Sequence, residues 1–135
     1  TADASNNALA TMPLAPLKEE DAPNAELRGA WEYYHTPRCE HPNAPGYTLA
    51  RNLTQIITYD AYNKAEAFLT QPILAVAGSK AGSKWMSGDL IARAASKDKI
   101  LHVVEGADHM DLYNVPKYVD EAVSKLAPFF QAKLD

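Results

Sequence analysis

A chain of 135 residues is long enough for one domain with a hydrophobic core and too short for two. Hydrophobic residues make up 47% and charged residues 22% of the chain, the balance of an ordinary soluble globular protein. The net charge of −4, without a basic cluster or stripe, argues against nucleic acid and anionic membranes as partners.

The expected compartment follows from features that the sequence lacks. No apolar run approaches the roughly 20 residues that a membrane-spanning helix needs, and the N-terminal residues do not resemble a signal peptide. Cys39 is the single cysteine, which excludes an internal disulfide and fits a reducing compartment. We therefore expect a cytoplasmic protein without a membrane partner.

The first predicted segment, residues 1–23, is an irregular arm. It holds Pro13, Pro16 and Pro23 and three acidic residues at positions 19–21, with no apolar periodicity. Such a segment is expected to lie on another surface.

Residues 24–69 are predicted to be mainly helical. Asn24 can cap a helix that ends before Pro37, and a short helix is expected between Lys64 and Leu69. Another helix is expected to begin at or near Thr48. Its apolar face would comprise Leu49, Leu53, Ile56 and Ile57.

The loop between the helix capped by Asn24 and the helix expected near Thr48 contains His35, Cys39 and His41. Their spacing matches no common zinc pattern, and a fourth ligand is not evident. We expect a packed polar loop and no metal site.

Residues 70–135 have the pattern of an α/β fold. Residues 73–77 and 100–104 are continuous apolar runs, each closed by a glycine, and a helix capped by Ser87 would connect them. This order predicts two parallel strands joined by a right-handed crossover. A final helix is expected from Pro116. It would bury Val119, Ala122, Val123, Leu126 and either Phe129 or Phe130.

Two parallel strands are too few for an independent sheet, because edges and faces would lack partners. We therefore expect the chain to be part of something larger. The partner would be a missing N-terminal half, another chain or a second copy of this one.

The segment after the first apolar run matches neither a nucleotide-binding loop nor a nucleophile elbow. Residues 78–84 follow a strand and precede a helix, but only three residues separate Gly78 from Gly82, whereas a Walker A loop has four. Lys80 occupies the centre where a nucleophile elbow has serine, and no G-x-S-x-G sequence occurs anywhere in the chain.

His109 is the stronger candidate for chemistry. It follows the second apolar run and Gly106, and reacting groups of doubly wound enzymes lie beyond the carboxyl ends of parallel strands. An imidazole there can act as a general base, or it can be a structural histidine bonded to its own loop. Asp108 and Asp111 flank it and are expected to support the loop, while His102 would be a bonded residue of the sheet face.

Several segments together resemble the C-terminal half of a bacterial α/β-hydrolase family that is related to dienelactone hydrolases and is usually uncharacterised. The resemblance is carried by residues 69–74 (LTQPIL), 77–81 (AGSKA) and 105–113 (EGADHMDLY). Upstream residues 33–38 (YYHTPR) and 41–43 (HPN) resemble the lid segment of the family.

The resemblance implies a Ser-His-Asp hydrolase acting on an ester or related acyl substrate, with no cofactor and with His109 as the catalytic histidine. Residues 24–69 would form the helical lid, and residues 70–135 would form the C-terminal part of the core. Many relatives have an aspartate where Gly82 stands, so the acid would come from elsewhere or be missing. The nucleophile and the oxyanion hole would belong to the N-terminal half.

We therefore expect a fragment that supplies the catalytic histidine and shows no esterase activity alone. Two alternatives remain open at this point. The chain is a hydrolase-like binding or scaffolding protein without activity, or it is a half-domain that associates with itself through its sheet edge.

Overall fold

The computed structural model of the chain describes residues 10–44 and 46–134 and has a mixed α/β architecture. The first nine residues of the predicted arm lie outside the described residues. The chain divides into two compact units, residues 1–61 and residues 62–135. The division falls between Ala61 and Tyr62, upstream of the boundary after residue 69 that the sequence suggests.

The first unit contains a short antiparallel sheet. Strand β1 (Thr11–Pro13) pairs with β2 (Tyr47–Leu49), and Met12 lies opposite Thr48. The predicted arm therefore contributes a strand, and Thr48 is extended, so the helix expected to begin near Thr48 begins only after this strand. A local apolar period cannot reveal a pairing partner that lies far away in sequence, and β-branched Thr48 suits an extended backbone.

Helix α1 (Ala25–His35) confirms the predicted helix start and end. The Asn24 side chain accepts a hydrogen bond of 2.9 Å from the Leu27 backbone N–H, as an N-cap residue should. The helix ends at His35, two residues before Pro37, whose ring disfavours helical backbone at the preceding residue.

The other helical segments of this unit are short and poorly buried. A 3₁₀ turn (Ala50–Asn52) leads into α2 (Leu53–Thr58), and a second 3₁₀ turn spans Glu19–Asp21. Most of the predicted apolar face is exposed, with Leu53 41%, Ile56 54% and Ile57 73% accessible.

The second unit has the strand, helix, strand, helix order that the sequence predicts. Strands β3 (Ile73–Gly78) and β4 (Lys99–Val104) are parallel, with Gly78 opposite Val104. Its helices are α3 (Ala65–Phe68), α4 (Lys84–Arg93), α5 (Asp111–Asn114) and α6 (Pro116–Leu134).

Two details of this unit correct the sequence predictions. Helix α4 begins at Lys84, so Ser87 lies inside it and Ser83 takes the N-cap position. In α6, Ala122 is buried as expected, but Val123 is half exposed because neighbouring residues of a helix point about 100° apart.

Several buried residues of the second unit lie near the carboxyl ends of the two strands. They include Ala77, Ala81, Val104, Ala107 and Met110, all less than 9% exposed. The loops that leave these strand ends therefore rest on the packed part of the unit.

None of the helices within residues 10–44 and 46–134 is both long and apolar enough to cross a membrane.

Candidate functional site

The candidate site is built on two loops that leave neighbouring strand ends. The Ser79 N–H donates to the Val104 carbonyl at 2.9 Å, and the Lys80 N–H donates to the Ala107 carbonyl at 2.9 Å. The Ser79 hydroxyl also accepts a hydrogen bond from the Gly106 N–H at 2.8 Å. These bonds fix the loop after β4 against the loop after β3.

Two glycines make this approach possible. A Cβ on Gly78 would lie 2.4 Å from the Ala107 carbonyl oxygen, closer than any real Cβ contact, so no side chain fits there. Gly106 has a φ of +82°, which favours glycine, and its turn redirects the chain after β4.

Asp108 and Asp111 brace the next turn reciprocally. The Asp111 N–H donates to Asp108 Oδ1 at 2.9 Å, and the Asp108 N–H donates to Asp111 Oδ2 at 3.1 Å. This arrangement resembles a capping box, in which two side chains each satisfy a backbone donor. Both carboxylates thus fix the backbone on either side of His109.

The His109 imidazole is half-buried and has a polar neighbour at each nitrogen. Its Nδ1 lies 2.9 Å from Ser83 Oγ, and its Nε2 lies 2.7 Å from Tyr113 Oη. The Tyr113 ring meets the imidazole edge to face, at 89° with centroids 5.3 Å apart. A neutral imidazole carries its proton on one nitrogen only, so one of these bonds is donated by the ring and the other accepted.

Ser83 reaches His109 from the loop after β3, in which many members of the resembled family have an acid. Gly82 itself is exposed and carries no acid. The next residue, Ser83, occupies the N-cap of α4 but makes no side-chain capping bond. The group that contacts the imidazole from this loop is therefore a hydroxyl and not a carboxylate.

A cavity of about 410 Å³ opens beside these residues. Its walls are largely apolar, and its polar lining includes Ser83, His109 and Tyr113. The other lining residues are Tyr62, Val76, Ala77, Gly78, Ala81, Lys84, Met86, Ser87, Leu112, Ala122 and Leu126. The arrangement offers an imidazole to a molecule of modest size in a mainly apolar setting.

Two other histidines, His102 and His41, have hydrogen-bond partners outside this cluster. His102 Nε2 on β4 lies 3.1 Å from Glu121 Oε1 on α6. His41 Nδ1 accepts a bond of 3.1 Å from the Asn43 N–H. In the part of the chain that the structure describes, no three His, Cys, Asp or Glu residues converge into a possible metal site.

Sequence reasoning gave no role to the two residues that touch the imidazole. The contact of Tyr113 could have been predicted, since Tyr113 is four residues after His109 and residues at that spacing are neighbours on a helical turn. The contact of Ser83 was harder to predict, because it joins loops that are 26 residues apart and depends on the strand register.

Similarity to known proteins covers nearly the whole chain. The uncharacterized protein YcjY of Escherichia coli K12 is 65% identical over 134 residues, 99% of this chain and 44% of that protein. The uncharacterized protein PA2218 of Pseudomonas aeruginosa is 33% identical over 86 residues, 62% of this chain and 23% of that protein. No model of a known protein family matches the sequence.

A solved structure has a similar fold. The crystal structure of the hypothetical protein PA2218 from Pseudomonas aeruginosa matches 97% of this chain and 40% of its own chain, with a TM-score of 0.72 and 28% identity. The chain thus spans less than half the length of the relatives that it matches.

Proposed function

We propose that His109 is the general base of a serine-type α/β hydrolase and that this chain is the C-terminal portion of its fold. The observation that supports this most is the place of the imidazole. It follows the carboxyl end of β4 and lines a cavity together with residues of the loop after β3. Active sites of open α/β sheets lie beyond these strand ends.

The proposed reaction is acyl transfer from an ester or a related substrate to a serine, followed by hydrolysis. His109 would accept the serine proton as that oxygen attacks the carbonyl, and would return it to the leaving group. The apolar walls of the cavity suit an acyl group, and no step needs a cofactor.

The nucleophile and the oxyanion hole are proposed to lie outside these 135 residues. The sequence contains no G-x-S-x-G, and the relatives are more than twice as long as the part that is matched. The partner would be an N-terminal half of the same protein or, as an alternative, a second copy of this chain. We propose the cytoplasm as its compartment, with neither nucleic acid nor membrane as a partner.

A second candidate is a hydrolase-like protein that binds small molecules without turning them over. Two observations favour it. Tyr113 Oη lies on Nε2, the nitrogen that would face a nucleophile, and Gly82 stands where relatives of the resembled family have an acid. The cavity would then bind an apolar ligand next to a neutral imidazole.

The test compares variants of the longest protein that contains these residues. We expect His109→Ala to lower hydrolysis of p-nitrophenyl acetate and butyrate by about 10³-fold or more, because the serine loses its base. Labelling by a fluorophosphonate probe should slow in parallel. His102→Ala is the matched control, since that imidazole contacts Glu121 and not the cavity cluster.

Two results would count against the enzyme. Equal rates for wild type and His109→Ala would show that His109 has no part in turnover. No labelling and no turnover in the wild type, combined with saturable binding of butyrate that His109→Ala weakens, would support the binding protein instead.

A further inference from the structure

We propose that Ser83 is a positioning residue that holds His109 in the tautomer with its proton on Nδ1 and its lone pair on Nε2. The catalytic meaning of this proposal rests on the proposed function. The tautomer itself does not, because it follows from contacts within the second unit.

The first support is the use that Ser83 makes of its hydroxyl. Serine at a helix N-cap usually accepts a hydrogen bond from a backbone N–H of the first turn. At the start of α4 this bond is not formed, and Ser83 Oγ lies 2.9 Å from His109 Nδ1 instead. The helix start thus places a hydroxyl on one nitrogen of the imidazole.

The second support is the neighbour of the other nitrogen. Tyr113 Oη lies 2.7 Å from Nε2, and a phenol is a stronger donor than an aliphatic hydroxyl. The favoured arrangement has Tyr113 donating to Nε2, so that the ring proton resides on Nδ1 and is donated to Ser83 Oγ. Nε2 is then the basic nitrogen, as a general base requires, and Tyr113 would have to release its lone pair before a nucleophile could donate to it.

The same arrangement makes Ser83 unsuitable as the nucleophile. A base must have a free lone pair toward the hydroxyl that it deprotonates. Because Nδ1 carries the proton, it cannot accept one from Ser83. The hydroxyl orients the ring, as the carboxylate of a Ser-His-Asp triad does, but it brings no negative charge to stabilise an imidazolium.

The tautomer can be measured directly on the 135-residue chain. Two-bond ¹H–¹⁵N spectra distinguish the protonated from the unprotonated nitrogen of each neutral histidine, and only four histidines need assignment. His109→Gln identifies the His109 signals by their loss. We expect the wild type to show a proton on Nδ1 of His109, and Ser83→Ala to shift its population toward the Nε2–H form.

Two variants complete the design. Ser83→Thr keeps a hydroxyl and should keep the Nδ1–H tautomer, whereas Ser87→Ala removes a different hydroxyl of the same cavity and should leave the His109 tautomer unchanged. A wild-type His109 in the Nε2–H form would overturn the proposal even if Ser83→Ala does not fold. An unchanged tautomer in folded Ser83→Ala would overturn it as well.

Kinetics in the longer protein separate this proposal from the proposed function. If both hold, Ser83→Ala should lower kcat with little change in KM, by less than the roughly 10⁴-fold that a wrong tautomer costs a serine protease, and Ser83→Thr should restore it. A tautomer change in a protein without esterase activity would leave the positioning role intact and reject the hydrolase. A KM effect alone would reject the positioning role.

Discussion

Gly78 sets how closely the two loops of the candidate site approach each other. It ends β3 directly under the turn that leads to His109, and the carbonyl oxygens of Ala107 and Asp108 lie where a Cβ would be. Backbone atoms cannot swing aside as the end of a flexible side chain can. The position of the imidazole relative to Ser83 therefore depends on a residue that has no side chain of its own.

We expect Gly78→Ala to lower the free energy of unfolding by about 1–3 kcal/mol or more, because overpacking against backbone forces the loops apart. Gly88→Ala is the matched control. Its Cβ would meet nothing within 4 Å, and alanine in a helix interior should stabilise by up to about 1 kcal/mol. Urea denaturation followed by circular dichroism measures both, and equal stabilities would contradict the close approach.

At this scale the sequence predicts some of the site and misses the rest. His109, Asp108 and Asp111 can be singled out because they follow an apolar run and a glycine in one continuous stretch. Ser83 cannot, since its role arises only when the register of β3 and β4 brings a distant loop to the imidazole. Local patterns identify the candidate residues but not the residues that contact them.

Among the elements, helix α1 has the clearest local cause. Its start is fixed by one side-chain bond from the Leu27 N–H to Asn24, which satisfies a donor that the helix itself leaves unpaired. The same residue and the proline that follows the helix suffice to predict both of its ends.

We expect Asn24→Ala to destabilise α1 by about 1 kcal/mol, because this donor loses its acceptor. Asn24→Asp should stay within a few tenths of a kcal/mol, since a carboxylate also accepts the bond and suits the positive end of the helix dipole. Amide hydrogen exchange provides the measurement: the Leu27 N–H should exchange roughly fivefold faster in the alanine variant. Equal exchange in both variants would mean that the cap bond contributes nothing.

The contrast with β2 shows why the other elements were harder to predict. Strands β3 and β4 are each a continuous apolar run, so their type can be recognised from sequence alone. Thr48 lies in a segment whose apolar residues recur at helical spacing, yet its backbone is extended because it pairs with Met12. Pairing at long sequence separation outweighs a weak local period.

For the molecule as a whole, the parallel strand pair leaves apolar side chains exposed to solvent. Ile100 and Val103 on β4 are 48% and 36% exposed, although both belong to an apolar run typical of strands buried on both faces. Because apolar strand surface is normally covered, this exposure agrees with the proposal that further strands of a longer protein complete the sheet.

We expect the 135-residue chain by itself to hydrolyse small aryl esters no faster than its His109→Ala variant. The reason is that the proposed base has no elbow serine to activate, and Ser83 faces the nitrogen that we assign the proton. Initial rates with p-nitrophenyl acetate, together with mass spectrometry after fluorophosphonate treatment, test this. Turnover that His109→Ala abolishes, or a probe adduct on Ser83, would show instead that the chain contains a complete Ser-His pair and would reverse the role assigned to Ser83.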